Sequence, residues 1–353
     1  MINLTRGVPA DESFPLEALR ECAAEAVQTD VLRYGDGYGY RPLREYLAQS
    51  HGVGLEQVMV TNGSLQFVDL LGLSVLSRGD VVLVESPTYD RTLTLLRRHG
   101  LVPVGVPLEA DGVNLEAFEA AVREHKPKMF YVVADFQNPS GSVMSLAKRR
   151  RVVELAEQYG FWVLEDSPYR PLRYSGQPVP SLRELNPKVV LQMSSYSKQI
   201  GPGVRVGYML GDAEVLKPLA KAANDTYISA GFTGQAIANA FLRRGLLEGQ
   251  LEQLRQLYAP RLNAMVAALN QHLPGALEAA PEGGFFLSIT LPEQHTMPNL
   301  LAKAAEVGLN LSDGRGFFVN PSEGERFLRL PFCAMSEVEI QDGVQRLAGL
   351  LRG

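Results

Sequence analysis

The residue best suited to covalent chemistry is a lysine that follows a strongly apolar run. Lys198 closes a Ser-Ser-Tyr-Ser-Lys segment directly after residues 189–193, and Arg205 lies seven positions further on. Burial lowers the pKa of a lysine, and the neutral amine can condense with an aldehyde to form a Schiff base. Arg205 is a fixed cation that suits a phosphate. A solvated loop carrying both side chains is the alternative for this segment taken alone.

A carboxylate follows the next apolar run upstream. Asp166 stands directly after residues 161–165, and Tyr169 comes three positions later. A carboxylate at the end of a buried strand must be paired or hydrogen-bonded to stay ionised, and a protonated ring nitrogen is one suitable partner. Tyr169 could donate a hydrogen bond to an oxygen on the same ring. The alternative is a turn capped by Asp166, with Tyr169 as a packing residue.

One segment has the arrangement of an anion site. Gly63, Ser64 and Leu65 follow a predicted strand and open a predicted helix. Backbone N–H groups at a helix N-terminus bind phosphate, and the Ser64 hydroxyl adds a donor. A plain serine N-cap explains the same residues. The glycines at 201, 203 and 207 lack the G-x-G-x-x-G spacing and precede a strand, so we set dinucleotide binding aside.

Three further side chains have both a chemical and a structural interpretation. Tyr89 could stack on a flat ring or simply pack, and Asn138 could donate to a ring substituent or hold a turn before Pro139. Arg329 is flanked by leucines, which suits bidentate binding of a carboxylate. An edge strand with Arg329 in water is the alternative.

The elements that must position these residues run from residue 57 to residue 212. Apolar runs that do not alternate with polar residues indicate strands buried on both faces, and hence a mostly parallel sheet covered by helices. Ligands bind at the carboxyl ends of such strands, where most of the residues above fall, so we expect one site at one edge. The predicted strands are Val58–Thr61, Val81–Glu85, Met129–Ala134, Phe161–Glu165, Val189–Met193 and Val204–Leu210.

Chain length predicts two domains, because 353 residues exceed the roughly 250–300 at which one core stops growing. The pattern changes after Thr233, where a long helical region from about 235 to 273 is expected to break or kink at Pro260. Mixed strands and helices follow. We predict a large domain over residues 30–240 and a small α+β domain formed by residues 1–29 and 241–353.

Composition narrows the function classes. The net charge of −5 and the lack of a long Lys/Arg run argue against a nucleic-acid partner, and no segment approaches a membrane span. Cys22 and Cys333 are far apart in sequence, and the five histidines are scattered, so we expect neither a disulfide framework nor a catalytic metal. With no signal-peptide pattern, these features favour the cytoplasm.

Together the motifs resemble the class I/II aminotransferase family of pyridoxal 5′-phosphate (PLP) enzymes. Residues 195–207 resemble that family's S-[FY]-S-K-x-x-x-P-G-x-R-x-G pattern, and N-P-S-G at 138–141, E-D-x-x-Y at 165–169 and Y-x-x-x-x-G-x-x-x-L-R at 34–44 accompany it. The resemblance covers nearly the whole chain and is nearest to the branch of 2-aminoadipate, aromatic and branched-chain aminotransferases. It implies an α/β, fold-type I architecture with a mostly parallel seven-stranded sheet in the large domain.

The resemblance also implies residue roles. Lys198 would hold PLP as a Schiff base and move the substrate's α-proton, Asp166 would pair with the ring nitrogen, and Tyr169 would bond the ring oxygen. Tyr34 would reach the phosphate of the neighbouring subunit of a homodimer. The remaining cofactor contacts would be Gly63, Ser64, Leu65, Tyr89, Asn138, Ser195, Ser197 and Arg205. The substrate contacts would be Arg329 on the α-carboxylate, Asn138 and Gly7.

The implied activity is exchange of an amino group between an L-amino acid and a 2-oxo acid, with glutamate and 2-oxoglutarate as one pair. A β-lyase or decarboxylase on the same fold is the alternative. A PLP-binding transcriptional regulator is a third hypothesis, and such a protein needs a DNA-binding module. The resemblance begins by about Leu4, which leaves no room for a helix-turn-helix before it. Arg6 stands where many relatives have a small residue, and it faces either an acidic substrate side chain or solvent.

Overall fold

The computed structural model describes residues 1–5 and 7–352, and within these ranges the chain forms twelve strands in three sheets. The largest sheet has eight strands, and the other two sheets have two each. The strands are β1 (Ile2–Leu4), β2 (Val58–Thr61), β3 (Val81–Ser86), β4 (Val102–Glu109), β5 (Gly112–Val113), β6 (Met129–Val132), β7 (Trp162–Asp166), β8 (Val190–Ser195), β9 (Gly207–Leu210), β10 (Phe286–Thr290), β11 (Leu309–Leu311) and β12 (Phe327–Pro331).

Helices pack against these sheets. The described helices are α1 (Leu16–Ala26), α2 (Arg41–His51), α3 (Leu65–Ser74), α4 (Asp90–Arg98), α5 (Leu115–His125), α6 (Leu146–Tyr159), α7 (Leu182–Leu185), α8 (Ala213–Tyr227), α9 (Phe232–Arg243), α10 (Leu246–His272), α11 (Met297–Glu306) and α12 (Glu337–Arg352). None of the helices in the described ranges is long and apolar enough to cross a membrane.

The large sheet has the order β2-β9-β8-β7-β6-β3-β4-β5. The five strands from β8 to β4 run parallel, while β9 is antiparallel to both of its neighbours and β5 is antiparallel to β4. The predicted α/β class is therefore confirmed, with one strand more than the seven expected. The extra strand is the two-residue β5, whose hairpin with β4 is too short to show as a hydrophobic period.

Strand β4 was not predicted from the sequence. Its sequence V-P-V-G-V-P-L-E contains two prolines and a glycine, and Val102 is exposed. Proline lacks the N–H that a sheet ladder uses, so such a run does not read as a central strand. It forms nonetheless because β3 supplies a parallel neighbour along its length.

The long helical region is interrupted at Gly245, not at Pro260 as expected. Gly245 has a φ of 70°, which separates α9 from α10, and α10 continues through Pro260. A proline removes the bond to the carbonyl four residues earlier, here that of Gln256. Both residues lie on the exposed side of the helix, so water can satisfy that carbonyl.

The C-terminal elements form a separate apolar cluster with the first strand. β1 pairs with β11, β10 pairs with β12, and Ile2 and Leu4 pack among Met265, Leu330 and Leu347. Helix α1 differs, because its Cys22 packs with the elements that include α2 and α9. The domain limits given above stay a prediction.

A buried ion pair joins the end of β6 to α6, and we expect it to matter for stability. Arg149 is fully buried and donates to both carboxylate oxygens of Asp135, at 3.1 and 2.9 Å. Arg149→Met removes the main partner of the buried Asp135 carboxylate. The free energy of unfolding, measured by urea titration, should therefore fall by about 3–5 kcal/mol. Arg123→Met, which breaks an exposed pair with Glu119, should cost less than about 1 kcal/mol. Equal losses in the two variants would contradict the argument.

Candidate active site

A pocket of about 210 Å³ lies at the carboxyl ends of β6, β7 and β8. Eleven of the predicted site residues line it: Gly63, Ser64, Leu65, Tyr89, Asn138, Asp166, Tyr169, Ser195, Ser197, Lys198 and Arg205. Residues far apart in the chain thus meet at one edge of the sheet. Next to the pocket, for example, Arg205 Nη2 donates to the backbone oxygen of Asn62 at 2.7 Å. Tyr131, Val133, Pro168 and Pro202 complete the lining.

Lys198 occupies the short helical turn 196–198 that follows β8. Its Nζ donates to the Gly7 carbonyl at 3.1 Å. Burial lowers the pKa of its ammonium, and the Arg329 and Arg205 charges act in the same direction. Cys333 and Asp166 oppose that shift. The structure therefore favours a neutral, nucleophilic amine facing the pocket.

Asp166 is the last residue of β7 and is buried. Its Oδ2 accepts a hydrogen bond from the Tyr131 hydroxyl at 2.8 Å, whereas Oδ1 has no partner among the described residues. Burial raises the pKa of this carboxyl to about 7, although the Tyr131 hydrogen bond and the Lys198 charge lower it. A buried oxygen without a donor is costly, so the pocket fits a ligand that brings an N–H to Oδ1.

A second group of lining residues forms an anion cradle. Ser64 precedes α3 without capping it through its side chain, so the simple N-cap interpretation does not apply. A Cβ on Gly63 would lie 2.6 Å from Arg205 Nη2, and one on Gly207 would lie 2.2 Å from the Ser64 nitrogen. Only glycine lets Arg205 and the α3 N-terminus approach this closely. The Ser195 hydroxyl, 2.8 Å from that of Ser197, borders the same space.

Two tyrosines bracket the pocket. Burial raises the pKa of Tyr89 to about 12 and that of Tyr169 well above its ordinary value, so both phenols stay protonated and can donate hydrogen bonds. Tyr169 packs edge-on against Phe286, with ring centroids 5.8 Å apart. The two rings give a flat aromatic ligand apolar surface to contact.

Arg329 is a buried cation beside the pocket. Its guanidinium lies 4.7 Å from the ring centroids of both Phe286 and Phe317. Nη1 donates to Asn138 Oδ1 at 3.0 Å, Nη2 donates to the Thr5 carbonyl at 2.6 Å, and Nε has no partner in the described part of the chain. No carboxylate within residues 1–5 and 7–352 forms an ion pair with it. A buried guanidinium without an acid partner calls for an anionic ligand.

Besides Arg329, two predicted site residues, Gly7 and Tyr34, do not line the pocket, and Arg6 lies outside the described residues. Gly7 reaches the site through its carbonyl on Lys198, and a Cβ there would lie 1.9 Å from the Phe286 ring. Tyr34 is 85% exposed and does not line the pocket of this chain.

Tyr131 is the polar residue that sequence reasoning missed. It sits in the run Met-Phe-Tyr-Val, which reads as an ordinary buried strand. The available signal was the hydroxyl itself, because a buried tyrosine usually needs a hydrogen-bond partner. Which partner it finds depends on strand order, which the sequence does not show.

Comparison with known proteins agrees with this geometry. The family described as aminotransferase class I and II matches residues 1–347. The chain is 32% identical to an aromatic-amino-acid aminotransferase of Thermococcus litoralis, over 100% of this chain and 88% of the relative. It is also 32% identical to a 2-aminoadipate transaminase of Thermus thermophilus, over 100% and 90%. A kynurenine aminotransferase of Pyrococcus horikoshii, solved with PMP, superposes with a TM-score of 0.95 at 33% identity, over 100% and 91%.

The chain therefore belongs to the class I and II aminotransferase family, with the fold-type I architecture. It is a PLP-dependent transaminase that moves an amino group between an amino acid and an oxo acid. The predicted family, enzyme class and cofactor are thereby confirmed.

Proposed function

We propose that the pocket binds PLP through the predicted contacts and that glutamate and 2-oxoglutarate form one substrate pair. The observation that carries this proposal is that Asp166 Oδ1, which has no partner within residues 1–5 and 7–352, lies in the same pocket as the Lys198 amine. A pyridinium N–H satisfies the first group and an aldehyde reacts with the second. When bound, PLP supplies the electron sink for charge that develops at the substrate α-carbon.

Lys198 and Asp166 divide the proton chemistry. Lys198 Nζ would hold the cofactor through its aldehyde carbon, and the freed amine would serve as the base that removes the substrate's α-proton. Asp166 Oδ1 holds a proton on the ring nitrogen, which keeps the ring electron-poor. Both tasks rely on burial, since water would otherwise compete for each hydrogen bond.

The remaining residues bind and orient. Tyr169 and Asn138 bond the ring oxygen, and Tyr89 stacks on the ring. The residues that would hold the phosphate are Gly63, Ser64, Leu65 through its N–H, Ser195, Ser197 and Arg205. Arg329 takes the substrate α-carboxylate, with Asn138 and Gly7 beside it.

Half-reaction spectra test this function against a β-lyase or decarboxylase. An L-amino acid added to the holoenzyme without an acceptor should move the cofactor absorption to that of the pyridoxamine form and release one equivalent of 2-oxo acid. Adding 2-oxoglutarate should restore the original spectrum. Release of ammonia or carbon dioxide instead would overturn the proposal.

Relatives are named for aromatic amino acids, 2-aminoadipate and kynurenine, so we propose these as donors to screen. From the sequence alone, we propose that Arg6 favours substrates with an acidic side chain. Arg6→Ala should then lower kcat/KM for acidic donors more than for neutral ones, and equal changes would exclude this role.

Arg329→Met should lower kcat/KM for every amino acid tested by about 100-fold, the factor for about 3 kcal/mol of lost charge-assisted hydrogen bonding. The loss should not depend on the substrate side chain, because the α-carboxylate is common to all of them. Steady-state kinetics with an acidic and an aromatic donor measure it. Arg326→Met, a partly exposed neighbour bonded to the Leu291 carbonyl, serves as the control and should change neither value.

We further propose a homodimer in which Tyr34 reaches the partner's PLP phosphate. Tyr34 is exposed in one chain, and Leu16, Val27 and Leu32 add exposed apolar surface in the same stretch. Tyr34→Phe should raise the Kd of PLP about tenfold, the effect of losing a hydrogen bond to a charged group. We also propose a cytoplasmic location, which the sequence pattern favours.

Hybrid dimers distinguish contact across the interface from contact within one chain. Pairing a Tyr34→Phe chain with a Lys198→Ala chain leaves one site that has Lys198. If Tyr34 of the other chain contacts PLP in that site, the site should bind PLP with the affinity of the wild type. Weak binding in the hybrid would place the contact within a single chain instead.

A further inference from the structure

The two oxygens of Asp166 lie in different surroundings. Oδ2 accepts from the Tyr131 hydroxyl at 2.8 Å, and Oδ1 has no partner in the described residues. Both side chains line the pocket, and Tyr131 is completely buried. The acceptor of the phenol hydrogen is therefore a carboxylate oxygen, Asp166 Oδ2.

Strand register explains why these groups meet. β6 and β7 are parallel neighbours, with Tyr131 opposite Leu164. Asp166 lies two residues beyond Leu164, and side chains two apart point to the same face of a sheet. Tyr131 and Asp166 thus share one face, at a diagonal separation that a tyrosine spans.

The hydrogen bond has two physical consequences. A phenol donor stabilises the charged form of a carboxylate, which opposes the effect of burial. It also stops rotation about the Cβ–Cγ bond, because turning the carboxylate would break the bond to Oδ2. Without the hydroxyl, a buried Asp166 would become more easily protonated and would no longer present one defined oxygen.

We propose that Tyr131 is a positioning residue that holds Asp166 Oδ2, so that Oδ1 alone pairs with the ring nitrogen of the cofactor. This inference rests on the proposed function and deepens it. Tyr131 contacts Asp166 and supports the ring contact through it. Its effect is therefore specific to the nitrogen atom of the ligand ring.

Tyr131→Phe removes one oxygen atom and tests this directly. Apoenzyme is titrated with PLP and, separately, with the carbocyclic analogue that has C–H in place of the ring nitrogen. The variant should bind PLP about tenfold more weakly, the factor for a lost hydrogen bond to a charged group, and should bind the analogue as the wild type does. Equal weakening of both ligands would show a merely structural role and overturn the proposal, as would unchanged affinity for PLP.

Two further variants complete the test. Tyr258 is equally buried, and its hydroxyl accepts from the Ala10 N–H, so Tyr258→Phe is a matched control that should leave both Kd values unchanged. In an Asp166→Asn background, Tyr131→Phe should have no added effect on PLP affinity, and a full additive loss would contradict the coupling. Failure of the proposed function would give a different result. Borohydride reduction of the wild-type enzyme with PLP would then leave Lys198 unmodified.

Discussion

Lys198→Ala should abolish transamination, with kcat lowered by at least about 10⁴-fold, because the variant loses the general base that handles the α-proton. It also loses the nucleophile that anchors the cofactor. PLP should still bind without a covalent link, since the phosphate cradle and Asp166 are intact. Lys198→Arg should be equally inactive, because a guanidinium stays protonated and cannot condense with an aldehyde.

Borohydride labelling separates this loss from a folding defect. Reduced wild-type holoenzyme should yield one modified peptide, the one that contains Lys198, and the variant should yield none. Lys221→Ala, at an exposed position, is the control and should keep full activity and labelling. A modified peptide around another lysine would show that the anchor has been misassigned.

Asp166→Asn has the second largest expected effect, a fall in kcat of about 10²–10⁴-fold, corresponding to about 3–5 kcal/mol for leaving a buried charge unpaired. An amide cannot hold a proton on the ring nitrogen, so the ring becomes a weaker electron sink. Single-turnover absorbance at saturating substrate measures the chemical step. Asp135→Asn would mainly affect folding, so a larger kinetic loss there would contradict the assignment.

The same substitution should stabilise the apoenzyme at high pH. The native carboxyl, with its pKa raised to about 7, keeps its proton at pH values where the unfolded one, near 3.8, has lost it. The native state then binds more protons, so the free energy of unfolding falls by up to about 1.4 kcal/mol per pH unit across that window. Asp166→Asn removes this term, and its gain over the wild type should grow from pH 4 to 7 and then level off.

Guanidinium titrations of both apoenzymes between pH 4 and 8.5 measure that difference. Glu85 also has a pKa raised by burial, to about 8, but it is present in both proteins and cancels in the comparison. A gain that does not depend on pH would mean that Asp166 is ionised throughout in the native apoenzyme. A stability loss at pH 8 would contradict the unpartnered state of Oδ1.

Much of the site was predictable because its residues follow buried strands. Asp166 ends β7, and Lys198 lies three residues after β8. Parallel strands bring their carboxyl ends to one edge whatever their order, so a list of strand ends was enough to gather the candidates. Ser195, Lys198 and Arg205 were predicted to lie together because they are close in sequence, so the local backbone is enough to bring them near one another.

Other features depended on packing that no local pattern encodes. Strand β4 reads poorly because of its prolines, yet it pairs along β3. Pro260 looked like a helix break, but its exposed position lets α10 continue, and Gly245 ends α9 instead. In both cases the surroundings of the residue decided the outcome, and the residue type alone did not.

The amino-acid sequence by itself indicated the family, through the resemblance of its motifs, and residue type together with strand periodicity predicted the edge of the sheet where the candidate residues meet. Only the tertiary structure decided that Tyr131 bonds Asp166 and that, among the described residues, Asp166 Oδ1 has no hydrogen-bond partner and Arg329 has no acid beside it. Those facts depend on strand order and register between segments far apart in the chain. The electrostatic environment of a side chain depends on which residues surround it in space, and the order of residues along the chain does not specify them.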